Sequence, residues 1–245
     1  IGGVMRLFFT MLVVVLIHSH SFSANGQSTV VYAKYEVALG AQGAIYDLWE
    51  AKARPIWQAL KDEGKINNFG RHAHAWGDSY NHNTWVSAPD YATYEAAWDI
   101  FWERYKDALT EDEGTLMGDN FIGHQDNIFT VSDSYGGDEE EGKRRVLMNF
   151  NEVRDATSWL KAWRSSFAPV LTKLVDSGDV ISFGLLRHEI GDQYNMNWWL
   201  EAEDNLSFYA AWSKLAKELQ ANHMDDVQQL MDATIRHKDS LVDAY

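Results

Sequence analysis

Two hydrophobic rhythms take turns along this chain, and the whole series occurs twice. Residues 29–39 alternate apolar and polar positions and are rich in β-branched and aromatic side chains, which predicts a strand. Residues 44–63 change to helical spacing (Ile45, Leu48, Trp49, Ile56, Leu60) and stop at Gly64, with Pro55 predicting a kink or break. Residues 66–76 and 80–87 return to alternation around Gly77-Asp78, a hairpin turn signal. A second helix opens at Pro89 or Asp90, with Tyr94, Ala97, Trp98, Phe101 and Tyr105 on one side. An acidic, glycine-containing loop is expected around 111–118, followed by a strand over 121–131. The order strand, helix, strand, strand, helix, strand is the split β-α-β arrangement.

After an acidic linker the order returns: a strand over 145–153, a helix over 157–177, a hairpin from 180–190 and 194–201, and a helix over 205–222. A short helix over 225–233 and a last strand over 234–244 complete it. Residues 69–98 and 183–212 match without a gap, pairing Phe69 with Phe183, Gly70 with Gly184, His74 with His188, Gly77 with Gly191, Asn81 with Asn195, Asn83 with Asn197, Trp85 with Trp199 and Trp98 with Trp212. A tandem duplication of one structural unit follows. Both units also end on one pattern, Ile122-Gly-His124-Gln-Asp126-Asn-Ile128 and Ile235-Arg-His237-Lys-Asp239-Ser-Leu241. The expected organisation is a signal segment over 1–26, a first unit over 27–135, a linker over 136–144 and a second unit over 145–245.

Composition narrows the chemistry. Lys and Arg number 21 against 36 Asp and Glu, a formal net charge of −15, so neither nucleic acid nor anionic lipid is an expected partner. With no cysteine, thiol nucleophiles, thiolate metal sites and disulfides are excluded. Met5 reads as the start, with Arg6 and the apolar run 7–17 forming a signal peptide too short to span a membrane. That predicts a secreted or periplasmic protein, with no membrane association after cleavage.

The passages 85–98 (WVSAPDYATYEAAW) and 199–212 (WLEAEDNLSFYAAW) resemble the strand-to-helix passage of NIPSNAP-like and antibiotic-biosynthesis-monooxygenase-like members of the dimeric α/β-barrel superfamily. The resemblance implies an α+β fold in which two tandem ferredoxin-like β-α-β-β-α-β units form a pseudo-dimeric α/β barrel. It also implies that ligands bind between the two sheets. The superfamily includes cofactor-free oxygenases, lyases, isomerases, haem-degrading enzymes and tandem haem enzymes, so the fold alone transfers no reaction.

Strand parity selects the candidate residues. His72, His74 and Trp76 share a face with Asn81, Asn83 and Trp85, and Leu186, His188 and Ile190 share one with Asn195, Asn197 and Trp199. The opposite face (Tyr80, His82, Thr84, Val86; Tyr194, Met196, Trp198, Leu200) is more apolar and is expected under the helices, leaving the His/Asn/Trp face to look into the barrel. If the resemblance holds, His74, Asn81 and Asn83 approach His237 and Asp239, while His188, Asn195 and Asn197 approach His124 and Asp126. In each pocket an Asp would orient one His, and the other would act as base. The catalytic candidates are therefore His74, His188, His124, His237, Asp126 and Asp239, with Asn81, Asn83, Trp85, Asn195, Asn197, Trp199 and His72 as ligand contacts.

Bland roles stand beside these. Gly-Asp pairs make turns, tryptophans pack, and the helix aromatics Trp98, Phe101, Trp102, Tyr105, Phe208, Tyr209 and Trp212 more often form core than a ligand box. His72 and His74 could face one ion, but Leu186 replaces His72 in the second unit, so no metal is expected. No cofactor is required; haem is the alternative that the tandem haem members bring, although no attachment motif occurs. Phosphate-loop, nucleophile-elbow and dinucleotide signatures are absent. The expected function is an exported small-molecule-binding barrel, a cofactor-free oxygenase or proton-transfer enzyme acting on an apolar or aromatic compound. The alternatives are a non-catalytic binding protein and a haem protein.

Overall fold

The computed structural model describes residues 28–137 and 142–245. The expected signal segment and the centre of the linker lie outside them. In the first half β1 (Thr29–Val37) leads through a 3-10 turn (Leu39–Ala41) to α1 (Gln42–Leu48), a π-turn (Trp49–Ala53) and α2 (Arg54–Asp62). Then come β2 (Asn68–Trp76), β3 (His82–Ala88), α3 (Tyr91–Ala108), α4 (Glu111–Asn120) and β4 (Phe121–Gly136). The second half repeats this as β5 (Arg144–Val153), α5 (Ala156–Ala162), a π-turn (Trp163–Phe167), α6 (Ala168–Asp176), β6 (Ser182–Ile190), β7 (Met196–Ala202), α7 (Asn205–Asn222), α8 (Met224–Ala233) and β8 (Thr234–Ala244).

One expectation is met and one changes. The helices divide into pieces at Pro55 and Pro169, as predicted; each proline follows a π-turn and sits in the first turn of the next helical piece. The wider turn removes the clash with the carbonyl four residues back. The loop expected around 111–118 is α4, because Thr110 and Glu113 form a reciprocal capping box and three acids occupy the first turn.

The strands close into an antiparallel barrel in the order β1-β3-β2-β8-β5-β7-β6-β4. Each half supplies four adjacent strands, and the halves join where β2 pairs with β8 and β4 with β6. Closure leaves no free edge. The barrel interior is packed by Tyr32, Phe129, Val146, Met148, Phe150, Leu186 and Val242, with Trp85 and Trp199 against them. The helices cover the outer face over three further cores, a larger one in the second half and two smaller ones in the first.

The repeated residues mostly serve this frame. Trp85 and Trp199 lie over the backbones of Gly70 and Gly184, where any side chain would collide with the indole. Gly77 and Gly191 hold positive φ at hairpin tips that press on β8 and β4 of the opposite half, against Asp239 O and Asp126 O. The neighbouring Asp78 and Asp192 pair with buried or half-buried lysines, Asp78 with Lys238 at 2.6 Å and Asp192 with Lys34 at 3.4 Å.

Candidate functional site

On the helix-facing side of the first half, β3, β1 and β4 lie in register. Tyr35 pairs with His82 on one side and His124 on the other, Ala33 with Thr84 and Asp126, and Val31 with Val86 and Ile128. Alternation points all nine side chains the same way. They form the floor of a cavity of about 480 Å³, roofed by α1, α2, α3 and Met117 of α4. Such a volume suits a small organic ligand. The floor grades from polar and aromatic at the Tyr35 row to aliphatic at the Val31 row.

The roof is aromatic. Trp49 and Trp57 come from the first helical stretch, and Tyr91, Tyr94, Trp98, Phe101, Trp102 and Tyr105 from α3. Asp90 caps α3 by accepting from Thr93 N at 2.7 Å, which sets where this face begins. At helical spacing the rings stack in sequence: Tyr91 on Tyr94 at 6.1 Å, Tyr94 on Trp98 at 6.2 Å, and Trp98 on Trp102 at 5.9 Å. Trp98, Trp102 and Tyr91 remain partly exposed and form the mouth. Phe101 and Tyr105 are buried in the first-half core with Tyr94 against them, as their spacing suggests, while Tyr91, Trp98 and Trp102 stay partly exposed along the cavity.

Two imidazoles differ in setting. His82 is 2% exposed, enclosed by Tyr35, Tyr46 and Phe121 at 5.9, 5.4 and 6.3 Å, and its Nδ1 has no hydrogen-bond partner. Burial, reinforced by the Arg71 charge, lowers its pKa to about 3, so the ring is neutral. His124 is half-exposed at the mouth, stacks on Tyr35 at 4.7 Å, and donates from Nε2 to Asp126 Oδ1 at 2.8 Å. That bond leaves Nδ1 as the acceptor of the neutral ring. Burial also raises the phenol pKa of Tyr35 and Tyr94, and takes that of Tyr105 to about 12. The arrangement offers an oriented base, a buried neutral hydrogen-bonding ring and an apolar slot.

Of the residues expected to form the site, His124 and Asp126 line this cavity. His72, His74, Asn83, Trp85, His188, Asn197 and Trp199 belong to the barrel-facing side, as parity predicts, but that space is filled. His72 Nδ1 bonds Tyr32 Oη at 3.1 Å, His74 Nε2 accepts from Asp78 N at 3.3 Å, and His188 lies beside Phe129 at 5.7 Å. Trp76 leaves the shared face at a register shift and is 70% exposed. Asn81 and Asn195 are clamps: Asn81 accepts from Val37 N at 2.9 Å and donates to Val37 O at 2.7 Å, and Asn195 does the same to Val153 at 2.8 and 2.9 Å.

The two expected mixed pockets do not form. β2 does pair with β8, but His74 lies opposite Val242, and the odd positions His237, Asp239 and Leu241 turn to the helix side. His237 and Asp239 are exposed and 3.6 Å apart. Sequence reading missed His82, Tyr35, Thr84, Ala33 and Ala53. Their signal was a mismatch between repeats, such as Thr84 against Trp198, rather than a match.

Among the described residues, no group of three or more His, Asp or Glu could hold a metal ion. Haem does not suit the donor set: His124 uses Nε2 on Asp126, and His82 is enclosed by rings. No helix among the described residues is long and apolar enough to cross a membrane.

No protein-family model and no curated protein matches the sequence. Solved structures do match. An anthrone oxidase-like protein aligns at TM-score 0.58 and 10% identity over 92% of this chain and 94% of its own. A candidate monooxygenase from Lactobacillus acidophilus aligns at TM-score 0.60 and 9% identity, over 89% and 94%. The chain has the dimeric α/β-barrel fold. A chlorite dismutase from Candidatus Nitrospira defluvii, in complex with imidazole, aligns more loosely, at TM-score 0.51 and 12% identity over 90% and 92%. At these identities the likeness of this α/β barrel to each of them is one of fold.

Proposed function

We propose that this barrel is two tandem ferredoxin-like units whose first unit binds an aromatic compound and carries out cofactor-free proton abstraction leading to oxygenation. The observation that carries the reading is the His124–Asp126 pair, 2.8 Å apart at the mouth of an aromatic-walled cavity that His82 also lines. Likeness of fold to anthrone oxidase-like and monooxygenase-like proteins supports it.

In this reading Asp126 orients His124, whose free Nδ1 takes a proton from a carbon acid lying across Ala33 and Thr84. His82, neutral and buried, donates to the oxygen on which the resulting enolate charge develops, and Tyr35 is held protonated by burial. The enolate passes electrons directly to O2; for a methylene oxidised to a carbonyl, one oxygen atom enters the product and the other leaves as water. The aromatic wall excludes bulk water. Export to the periplasm or medium, with signal removal within residues 1–26, belongs to the same proposal, and a small molecule is the partner in it.

Oxygen consumption by the purified mature protein with anthrone is the test. Turnover should fall roughly 100-fold or more in His124→Ala and in Asp126→Asn, and it should vanish when the cavity is filled in Thr84→Trp. Equal turnover in all three variants would sink the reading. A Soret band formed on adding haem would replace it with the haem alternative.

A further inference from the structure

The charged side chains that line the cavity, other than its histidines, have one sign, and Lys106 on α3 lies over the Trp102 ring at 5.4 Å. Glu95 and Asp126 line the cavity, whereas none of its lining residues is Lys or Arg. Both carboxylates act on Tyr94 between them, adding to the effect of burial on its phenol. Tyr91 Oη donates to Glu95 Oε1 at 2.6 Å, which holds that carboxylate against the first rings of α3. Arg71, whose charge reaches His82, sits behind Tyr46 at 4.5 Å and is bridged to Glu50 at 3.3 Å.

Beside these acids stand the partly exposed rings of Trp98 and Trp102, the latter already carrying Lys106 on one face at 5.4 Å. Ring faces carry negative quadrupole charge, and with adjacent carboxylates they favour a cation over a neutral group and repel an anion. At the inner end, His82 Nδ1 is buried without a hydrogen-bond partner.

We infer that the cavity selects a cationic aromatic ligand, with its positively charged nitrogen, quaternary or protonated, at the Glu95 and Asp126 mouth and its ring system inside. This rests on the proposed reading of the cavity and names its ligand class. A cationic substituent also makes a neighbouring C–H more acidic, which suits removal by His124.

The test is quenching of tryptophan fluorescence in the full mature protein by three probes of one shape: trimethyl(2-naphthylmethyl)ammonium, 2-naphthylmethanol and 2-naphthoate. The cation should bind about tenfold more tightly than the alcohol, about 1.4 kcal/mol, and the carboxylate about tenfold more weakly still. Glu95→Gln should remove most of the advantage of the cation. Thr84→Trp or, should that variant fold poorly, Ala53→Phe should abolish binding of all three.

Equal affinity for cation and alcohol, both lost on filling the cavity, would overturn the charge selection and leave the cavity reading standing. Failure of every probe would overturn both. A cation preference that survives cavity filling and disappears in 0.5 M NaCl would mark attraction to the acidic surface and overturn the inference.

Discussion

In the first half Thr84 stands at the centre of the floor, with Ala53 above it in the π-turn; in the second half these positions are Trp198 and Phe167. Trp198 is buried and meets Trp163 at 5.4 Å, Phe167 at 6.3 Å and Trp212 at 6.3 Å. The space that is a cavity in one half is indole and phenyl in the other. A second difference lies one strand over. Asn149 donates to Asp239 at 2.6 Å, and the corresponding His237 stays 3.6 Å away; Ala33 offers no donor, so Asp126 takes His124 at 2.8 Å. The duplicated His-x-Asp motif is thus the same in both halves and set to different uses by its neighbours.

The sharpest way to break this comparison is Trp198→Thr. If Trp198 fills the second half, its loss should cost roughly 3 to 5 kcal/mol in urea unfolding, while the reverse change, Thr84→Trp, should cost far less. A loss below about 1 kcal/mol for Trp198→Thr would mean that the second half collapses readily and that the two floors are not held apart by this residue.

Acid should separate the halves next. His72 and His82, both in the first half, are buried neutral with pKa near 3, against about 6.5 for an unfolded histidine. Between those values the unfolded chain binds more protons, so stability is lost as pH falls from about 6.5 towards 3. At pH 5 each histidine should account for roughly 2 kcal/mol relative to neutral pH. His82→Met, the residue of the second half, should remove its share. Urea midpoints at pH 7 and pH 5 measure this; an unchanged pH dependence in the variant would show that His82 is not buried neutral.

The smallest effect tests what the halves share. Asn81→Ala and Asn195→Ala each remove a two-bond clamp on a strand end, and each should cost roughly 1 to 2 kcal/mol. Near-equality of the two by thermal unfolding is the expected outcome. Loss of ligand binding in Asn81→Ala without loss of stability would return that residue to the site.

Element order, the hairpins, α7 and β8 were legible because hydrophobic period and turn glycines are local properties, and duplication allowed each to be read twice. So was the inward face of His72, Asn83 and Trp85, since alternation along a strand needs no tertiary information. The misreadings came where local pattern met something distant. Residues 111–118 have the composition of an acidic loop, but the capping box of Thr110 and Glu113 starts a helix there. His74 and His237 were joined across strands whose pairing was right, although one side chain turns inward and the other out to the helices. Trp98 and Trp102 have the spacing of a core stripe yet stay partly exposed, as Trp212 does in the second half.

By itself, then, the sequence determined the repeat, the element order apart from α4, and the two faces of the hairpin strands, because these follow from spacing along one chain. The tertiary structure alone decided which face is filled. Packing is a sum over residues far apart in sequence, and at this site the deciding members were Ala53, Ala33 and Thr84. Their small side chains leave room in the first half that Phe167, Asn149 and Trp198 occupy in the second.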